Sequence, residues 1–154
     1  MNRAAAIEHS CPALVIAKKL ARILNATTIG EINAAFAALA GGRPDALYVS
    51  ADSFFISHTV QFATLTARDR MPAIYEQRDF VAAGGLMSYG TDLEDMARQV
   101  GTYAGRILKG AKPADLPVVQ SAKFQFVINL QTAKLLGIEV PPTLLALADE
   151  VIEQ

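Results

Sequence analysis

The chain has 154 residues, the size of about one domain, and its 14 Lys and Arg against 15 Asp and Glu leave a net charge of −1. Hydrophobic residues make up 52% and charged residues 19%, a composition that is typical of a globular protein and excludes a disordered chain. The lack of a basic excess argues against nucleic acid as a partner. One cysteine, Cys11, and two histidines, His9 and His58, exclude an internal disulfide framework and a cysteine-built zinc site, so we expect neither metal nor cofactor.

The N-terminal residues lack the pattern of an export signal, which needs an unbroken apolar stretch of about 7 to 15 residues behind a basic start. The apolar run 4–7 ends at Glu8, and the run 13–17 ends at Lys18. No stretch approaches the roughly 20 apolar residues of a membrane span. As written, the chain is expected to remain in the cytoplasm.

The hydrophobic spacing predicts alternating helices and strands. In chain order we expect a helical N-terminal segment over 1–27, a helix over 28–41, strand 46–49, helix 54–70, strand 73–75, a loop or short helix over 76–83, strand 86–89, helix 93–110, strand 124–130, helix 131–136 and a last helix over 141–152. Two helix starts have capping-box spacing, one at Thr28 with Glu31 and one at Thr91 with Glu94. Strand 124–130 alternates large apolar with smaller or polar residues, as a strand covered mainly on one face would.

The strands 46–49, 73–75 and 86–89 are short apolar runs without polar alternation, which is typical of parallel strands that are covered on both faces. Strands that alternate with helices predict the α/β class with a mostly parallel sheet flanked by helices. Ligands of such sheets bind beyond the carboxyl ends of the strands. The residues that follow each strand are therefore the candidates for function.

The strand ends offer carboxylates, a cation, hydroxyls and aromatic rings, which suit a small zwitterion such as an amino acid. The candidate ligand-binding residues are Ser50, Asp52, Ser53, Tyr75, Glu76, Arg78 and Tyr89. Each also has a structural interpretation that stays open. Asp52 or Ser53 can cap a helix, the two tyrosines can be packing residues, and Arg78 can be a solvated loop charge.

Enzyme motifs are absent from the sequence, so we assign no catalytic residue and predict that the chain is not an enzyme. Residues 85–91 have the glycine spacing of a phosphate loop, but Thr91 stands where the phosphate-binding lysine belongs. His58 is expected to be a surface or satisfied histidine in helix 54–70, and Cys11 a small buried hydrophobic residue.

Several blocks of sequence resemble a known family in order and spacing. They are Pro72–Tyr75, Phe80–Gly90 (FVAAGGLMSYG), Gly105–Pro117, Lys123–Gly137 and Pro141–Ile152. Together they look like the C-terminal half of ABC-transporter substrate-binding proteins related to tryptophan- and other amino-acid-binding uptake proteins. The resemblance extends loosely back to Thr28.

The resemblance implies a type I periplasmic binding protein fold, in which two Rossmann-like (flavodoxin-like) lobes clamp a ligand and deliver it to an ABC permease. Residues 28–117 would form one ligand-binding lobe, and residues 118–154 would be a C-terminal strand and helices that return along the hinge. Full-length members are periplasmic and carry an export signal and an N-terminal lobe. Since this chain shows neither, it resembles a truncated protein, and we expect the isolated lobe to self-associate through exposed apolar surface.

Two other functions remain open from the sequence. The chain could be a sensory or regulatory ligand-binding domain of the same fold, or an enzyme of the doubly wound α/β class. Fold alone does not separate these alternatives.

Overall fold

The strands form one mostly parallel sheet in the computed structural model, which describes residues 3–7, 20–42, 44–119 and 123–153. Within these residues the sheet has seven strands in the order β2-β1-β3-β4-β5-β6-β7. All neighbouring strands are parallel except β5 and β6, which are antiparallel. The strands are β1 (Arg3–Ile7), β2 (Leu20–Leu24), β3 (Ala46–Val49), β4 (Ala73–Tyr75), β5 (Met87–Thr91), β6 (Phe124–Asn129) and β7 (Glu150–Ile152).

Helices follow most of the strands, which confirms the predicted α/β class. They are α1 (Ile29–Gly42), α2 (Ser53–Ile56), α3 (Thr59–Arg68), α4 (Arg78–Ala82), α5 (Leu93–Leu108), α6 (Leu130–Leu136) and α7 (Pro142–Leu145), with a 3-10 turn at Pro113–Asp115. The predicted start of α1 is confirmed, because the Glu31 amide donates to Thr28 Oγ1 while the Glu31 carboxylate accepts from the Thr27 amide. The end of α6 at Gly137 is also as predicted, with a left-handed φ of 72°.

The main core lies on one face of the sheet, between strands β3 and β4 and helices α1, α3 and α4. Alternate strand residues point into it, and the fully buried Val49 and Tyr75 are register partners on this face. Helices α1, α2, α3 and α4 each supply one fully buried phenylalanine to the core, and the ring of Tyr75 on β4 stacks on Phe80 with centroids 4.6 Å apart. Phe62 lies between Phe80 and Phe36, at 5.9 and 6.1 Å. This packing fixes the positions of the carboxyl ends of β3 and β4.

The N-terminal segment is not helical where the structure describes it, so that part of the prediction for residues 1–27 was wrong. Arg3–Ile7 and Leu20–Leu24 are parallel strands on the outer side of β3. The alanine-rich sequence of β1 favours a helix by local propensity, but backbone pairing along the open edge of β3 overrides that preference. Cys11 and His9 lie outside the described residues.

The predicted helix 54–70 is interrupted, which corrects a second expectation. Ser57 ends α2, and His58 has φ −125° and ψ 26°, outside the helical region. The Ser57 hydroxyl donates to the Ser53 carbonyl at 2.9 Å, and His58 Nδ1 lies 2.7 Å from the Phe54 carbonyl oxygen. The Ser53 carbonyl still accepts from the Ser57 amide, but the His58 ring occupies the Phe54 carbonyl and the His58 amide donates to the Phe55 carbonyl instead, so the helix is interrupted and restarts at Thr59.

The predicted last helix stops at Leu145, and Glu150–Ile152 form β7 instead. Asp149 anchors this turn to β6, because its amide donates to the Phe126 carbonyl and its carboxylate accepts from the Phe126 amide. Val151 and Ile152 are β-branched and pair beside β6. The open edge of β6 therefore decides the conformation of this segment.

Strands β5 and β6 differ from the prediction in detail. β5 continues to Thr91, so Asp92 rather than Thr91 caps α5 and accepts from the Asp95 amide at 3.0 Å. In β6 the adjacent residues Val127 and Ile128 are both fully buried, so the end of this strand is covered on both faces rather than mainly on one.

Candidate functional site

The carboxyl ends of β3, β4 and β5 meet at one edge of the sheet, as the parallel register requires. Because β6 runs antiparallel to β5, and β7 parallel to β6, both of these strands begin at the same edge. The edge holds an open cleft of about 520 Å³. Its lining residues are Glu76, Gln77, Arg78, Asp79, Gly90, Thr91, Asp92, Leu93, Glu94, Lys123, Gln125 and Glu150.

Glu76, one of the predicted site residues, joins the ends of β3 and β4. Its Oε1 accepts a hydrogen bond from the Tyr48 hydroxyl, and its Oε2 accepts from the Ala51 amide at 3.0 Å. Tyr48 lies on β3, and Ala51 lies in the turn that follows it. The carboxylate therefore holds the turn 50–52 against the tip of β4.

Asp52 and Ser53 stand at the start of α2, and the capping interpretation of Asp52 is confirmed. Its carboxylate Oδ1 accepts from the Phe54 amide at 2.8 Å, with the extended backbone of an N-cap. The Ser53 carbonyl accepts from the Ser57 hydroxyl. Ser50 and Asp52 are half-buried, and Ser53 is exposed. Ser50 and Asp52 lie in the turn that Glu76 holds, Ser53 begins α2, and none of the three is among the lining residues of the cleft.

Arg78 is paired with a carboxylate that sequence reasoning missed. Its guanidinium donates two hydrogen bonds to Glu150, from Nε at 2.7 Å and from Nη2 at 2.6 Å. The hydrogen bonds raise the pKa of Arg78 and lower the pKa of Glu150. Glu150 was hidden from the sequence analysis because a helix was expected there.

A second ion pair lines the cleft on the side where β6 begins. Lys123 Nζ lies 2.7 Å from Asp92 Oδ2. The hydrogen bond from Lys123 is the main reason why the pKa of Asp92 is lowered, and the same bond raises the pKa of Lys123. Neither residue belonged to the predicted site, although Asp92 follows a strand end and the rule of strand ends could have found it.

The two predicted tyrosines do not come together. Tyr75 has no exposed surface, and its hydroxyl lies 3.1 Å from Thr66 Oγ1 in the core. Burial raises its pKa to about 12. A side chain enclosed in this way does not reach a ligand at the sheet edge. Tyr75 is therefore a packing residue and no longer a candidate ligand-binding residue.

Tyr89 points to the opposite face of the sheet, because its neighbour Ser88 is the register partner of Tyr75. Its ring is 54% exposed and stacks on Phe124 with centroids 5.5 Å apart. Phe126 meets it edge-on at 6.2 Å. Tyr89 can therefore contact a ligand or partner, but only on the face of the sheet opposite to Tyr75.

The described part of the chain holds no cluster of three or more His, Cys, Asp or Glu side chains placed to bind a metal ion. Among the same residues, no helix combines the length and hydropathy that a membrane crossing needs. The cleft offers carboxylates, two paired cations and backbone groups, which is the chemistry of polar, reversible ligand binding.

Three comparisons relate the chain to known proteins. Residues 17–152 match the family model described as ABC transporter substrate binding protein. A curated relative, the tyrosine-binding protein of Clostridioides difficile (strain R20291), is 28% identical over 113 residues, which are 73% of this chain and 32% of the relative.

Solved structures share the fold. A conserved domain protein from Vibrio cholerae superposes with a TM-score of 0.81 at 19% identity, over 97% of this chain and 54% of that one. An ABC domain from Streptococcus pneumoniae in complex with L-Trp gives a TM-score of 0.81 at 24% identity, over 98% and 56%. A ligand-free, open substrate-binding protein with adhesive properties from Clostridium difficile gives a TM-score of 0.67 at 20% identity, over 99% and 55%.

This chain spans about a third of the curated relative that it matches and about half of these solved structures. The family match covers most of the chain and confirms the resemblance seen in the sequence. Proteins of this kind bind solutes and are not enzymes. The chain belongs to the ABC transporter substrate-binding protein family.

Proposed function

We propose that this chain is the C-terminal ligand-binding lobe of a substrate-binding protein that captures an amino acid or a related carboxylate without chemical change. The observation that carries the proposal is the polar cleft at the shared edge of β3, β4 and β5, where ligands of parallel sheets bind. The relative named for tyrosine and the structural neighbour that holds L-Trp support the substrate class.

The charges of the cleft favour the ammonium end of such a ligand. Its lining contains five carboxylates (Glu76, Asp79, Asp92, Glu94 and Glu150) and two cations (Arg78 and Lys123), an excess of three negative charges. Both cations already face carboxylates in ion pairs. We therefore expect the ligand ammonium to face this lobe, and the ligand carboxylate to be held mainly by groups outside it.

The proposed ligand-binding residues are those predicted from the sequence without Tyr75, namely Ser50, Asp52, Ser53, Glu76, Arg78 and Tyr89. Asp52 and Glu76 supply negative charge to the ammonium, and the exposed ring of Tyr89 supplies an apolar surface. Glu76 also acts through the turn 50–52, whose position it fixes.

The partner of the complete protein would be an ABC permease, and its place the periplasm, where proteins of this family normally bind solutes. We retain the division into a ligand-binding unit over 28–117 and a returning unit over 118–154 as a proposal. Self-association of this chain is the other partnership that we propose.

A thermal-unfolding screen against L-amino acids tests ligand capture. The chain as it stands should show little shift, and the chain joined to an N-terminal lobe of a relative should show a clear shift, since a ligand at 100 times its Kd stabilises the bound form by about 2.7 kcal/mol. In the joined protein, Asp52→Asn should abolish the shift and Asp115→Asn, at an exposed position that does not line the cleft, should preserve it. If the joined protein ignores every amino acid, the substrate class is wrong.

A further inference from the structure

The carboxylates that line the cleft differ in how their charge is balanced and how their position is held. Two of them face cations. Asp92 lies 2.7 Å from Lys123, and Glu150 lies 2.6 Å from Arg78. Most of the negative charge of these two carboxylates is therefore already balanced within the chain, and a ligand cation would have to compete with the ion pairs.

Asp79 and Glu94 are exposed side chains in the first turns of α4 and α5. Among the residues that the structure describes, no side-chain hydrogen bond fixes either carboxylate. A hydrated side chain loses rotamer freedom when it binds a ligand, which offsets part of the gain from the contact. These two carboxylates therefore supply a general negative potential rather than a directed contact.

Glu76 combines a fixed position with an unbalanced charge. Its two oxygens accept from two neutral donors, the Tyr48 hydroxyl and the Ala51 amide. The side chain is half-buried, and within the described residues no cation pairs with it. Neutral donors orient a carboxylate without cancelling its charge, and each oxygen keeps a second lone pair for a ligand. Glu76 is thus prepared for a charge-assisted hydrogen bond from a cation.

We propose that Glu76 receives the ammonium group of the ligand and that Tyr48 is the positioning residue that orients its carboxylate. Tyr48 does not line the cleft and acts through Glu76, because its hydroxyl fixes one carboxylate oxygen while the Ala51 amide fixes the other. This inference rests on the proposed function and narrows its substrate class to ligands with a protonated amine. A 2-hydroxy or 2-oxo acid of the same shape should bind more weakly.

L-Alaninamide is a probe that isolates this contact, because it carries the ammonium group but no carboxylate. At about pH 6 its amine is protonated, since the pKa of an α-amino group is about 8. Amide NMR of the isotope-labelled chain, followed at Ala51 and Gly90, should show binding in the millimolar range. Propanamide, which lacks only the amine, should cause no shift. A native chain that does not respond to L-alaninamide would overturn the inference, whereas the thermal screen of the joined protein decides the proposed function separately.

Glu76→Gln should weaken the binding of L-alaninamide at least about tenfold, because the charge of the anchor is lost. Glu94→Gln is the matched control. It removes the same charge from the same cleft, at a carboxylate that no hydrogen bond from the described residues fixes, and should weaken binding less than about twofold. Equal losses in the two variants would overturn the assignment of Glu76, because a general negative potential would then account for the binding.

Tyr48→Phe retains the charge of Glu76 but removes one of the hydrogen bonds that orient it, so binding should weaken about three- to tenfold. The double variant Tyr48→Phe with Glu76→Gln separates positioning from a merely structural role. If Tyr48 acts through Glu76, the double variant should bind no more weakly than Glu76→Gln alone. Losses that add would overturn the positioning role of Tyr48 and leave the role of Glu76 standing.

Discussion

Gly90 and the backbone carbonyl of Glu76 touch across the tips of β5 and β4. A Cβ added to Gly90 would stand 2.8 Å from the carbonyl carbon of Glu76 and closer still to its oxygen. The absence of a side chain at Gly90 thus allows two strand ends to approach at the cleft. Gly90, which belongs to the stretch with the glycine spacing of a phosphate loop, is a residue of β5 whose role is close packing.

Gly90→Ala should therefore displace the end of β4 and destabilise the protein by about 1–3 kcal/mol. The backbone carbonyl of Glu76 must move, because it has no side-chain freedom with which to avoid the methyl group. Urea unfolding measures the loss. Gly41→Ala, which meets no atom within 4 Å in α1, is the control and should be neutral or slightly stabilising. Equal stability of Gly90→Ala and the native chain would contradict the close approach.

Glu76→Gln should loosen the turn that follows β3. The amide can replace only part of the carboxylate's two hydrogen bonds, from Tyr48 and from Ala51, so about 1 kcal/mol of unfolding free energy should be lost. Hydrogen exchange at the Ala51 amide should become faster. Tyr48→Phe should reproduce the loss of stability but retain slow exchange at Ala51. Unchanged exchange in Glu76→Gln would show that the carboxylate does not hold the turn.

Tyr75 should make the protein sensitive to alkali. Its pKa is raised from 10.0 to about 12 in the folded chain, so the folded state holds the phenol proton more tightly than the unfolded state. The contribution of Tyr75 to the free energy of unfolding is fully present below pH 10 and is lost as the pH rises toward 12. The loss amounts to at most roughly 2.7 kcal/mol, the free energy of a two-unit difference in pKa.

Tyr75→Phe should remove most of this loss of stability at high pH. Near neutral pH the variant should be less stable than the native chain, because it lacks the hydrogen bond to Thr66. Denaturant titrations between pH 8 and about 12 compare the two proteins. Tyr103→Phe is the matched control variant, because it also removes one phenol but at a residue that is only half-buried. An identical slope in the native chain and Tyr75→Phe would be inconsistent with a raised pKa.

The Arg78–Glu150 ion pair should contribute only modestly to the free energy of unfolding. The two side chains are 44% and 33% exposed, so a double-mutant cycle to alanine should give a coupling energy of about 0.2–1 kcal/mol that falls with added salt. Because the pKa of Glu150 is lowered from 4.5, the contribution is present above that pH and disappears as the pH falls through the lowered value. A coupling that persists in strong acid would contradict this assignment.

The sequence predicted the strands β3, β4 and β5 and the helix α1 because their local patterns and their tertiary surroundings agree, and it predicted α5 from the local pattern alone. β3 is apolar on both faces, and α5 has both a cap and a regular stripe. The same reasoning placed the candidate site at the strand ends, where Glu76 and Arg78 do line the cleft.

The amino-acid pattern was enough to predict the α/β class, the edge at which polar groups gather and the resemblance to the family. The strands β1, β2 and β7 could not be predicted in this way, because an open sheet edge supplies backbone hydrogen bonds that override local helix propensity. The tertiary structure was also needed to show that Tyr75 and Tyr89 lie on opposite faces of the sheet and that Arg78 pairs with Glu150. Which face a strand residue takes depends on the register of pairing, and which charges meet depends on contacts between residues 72 positions apart.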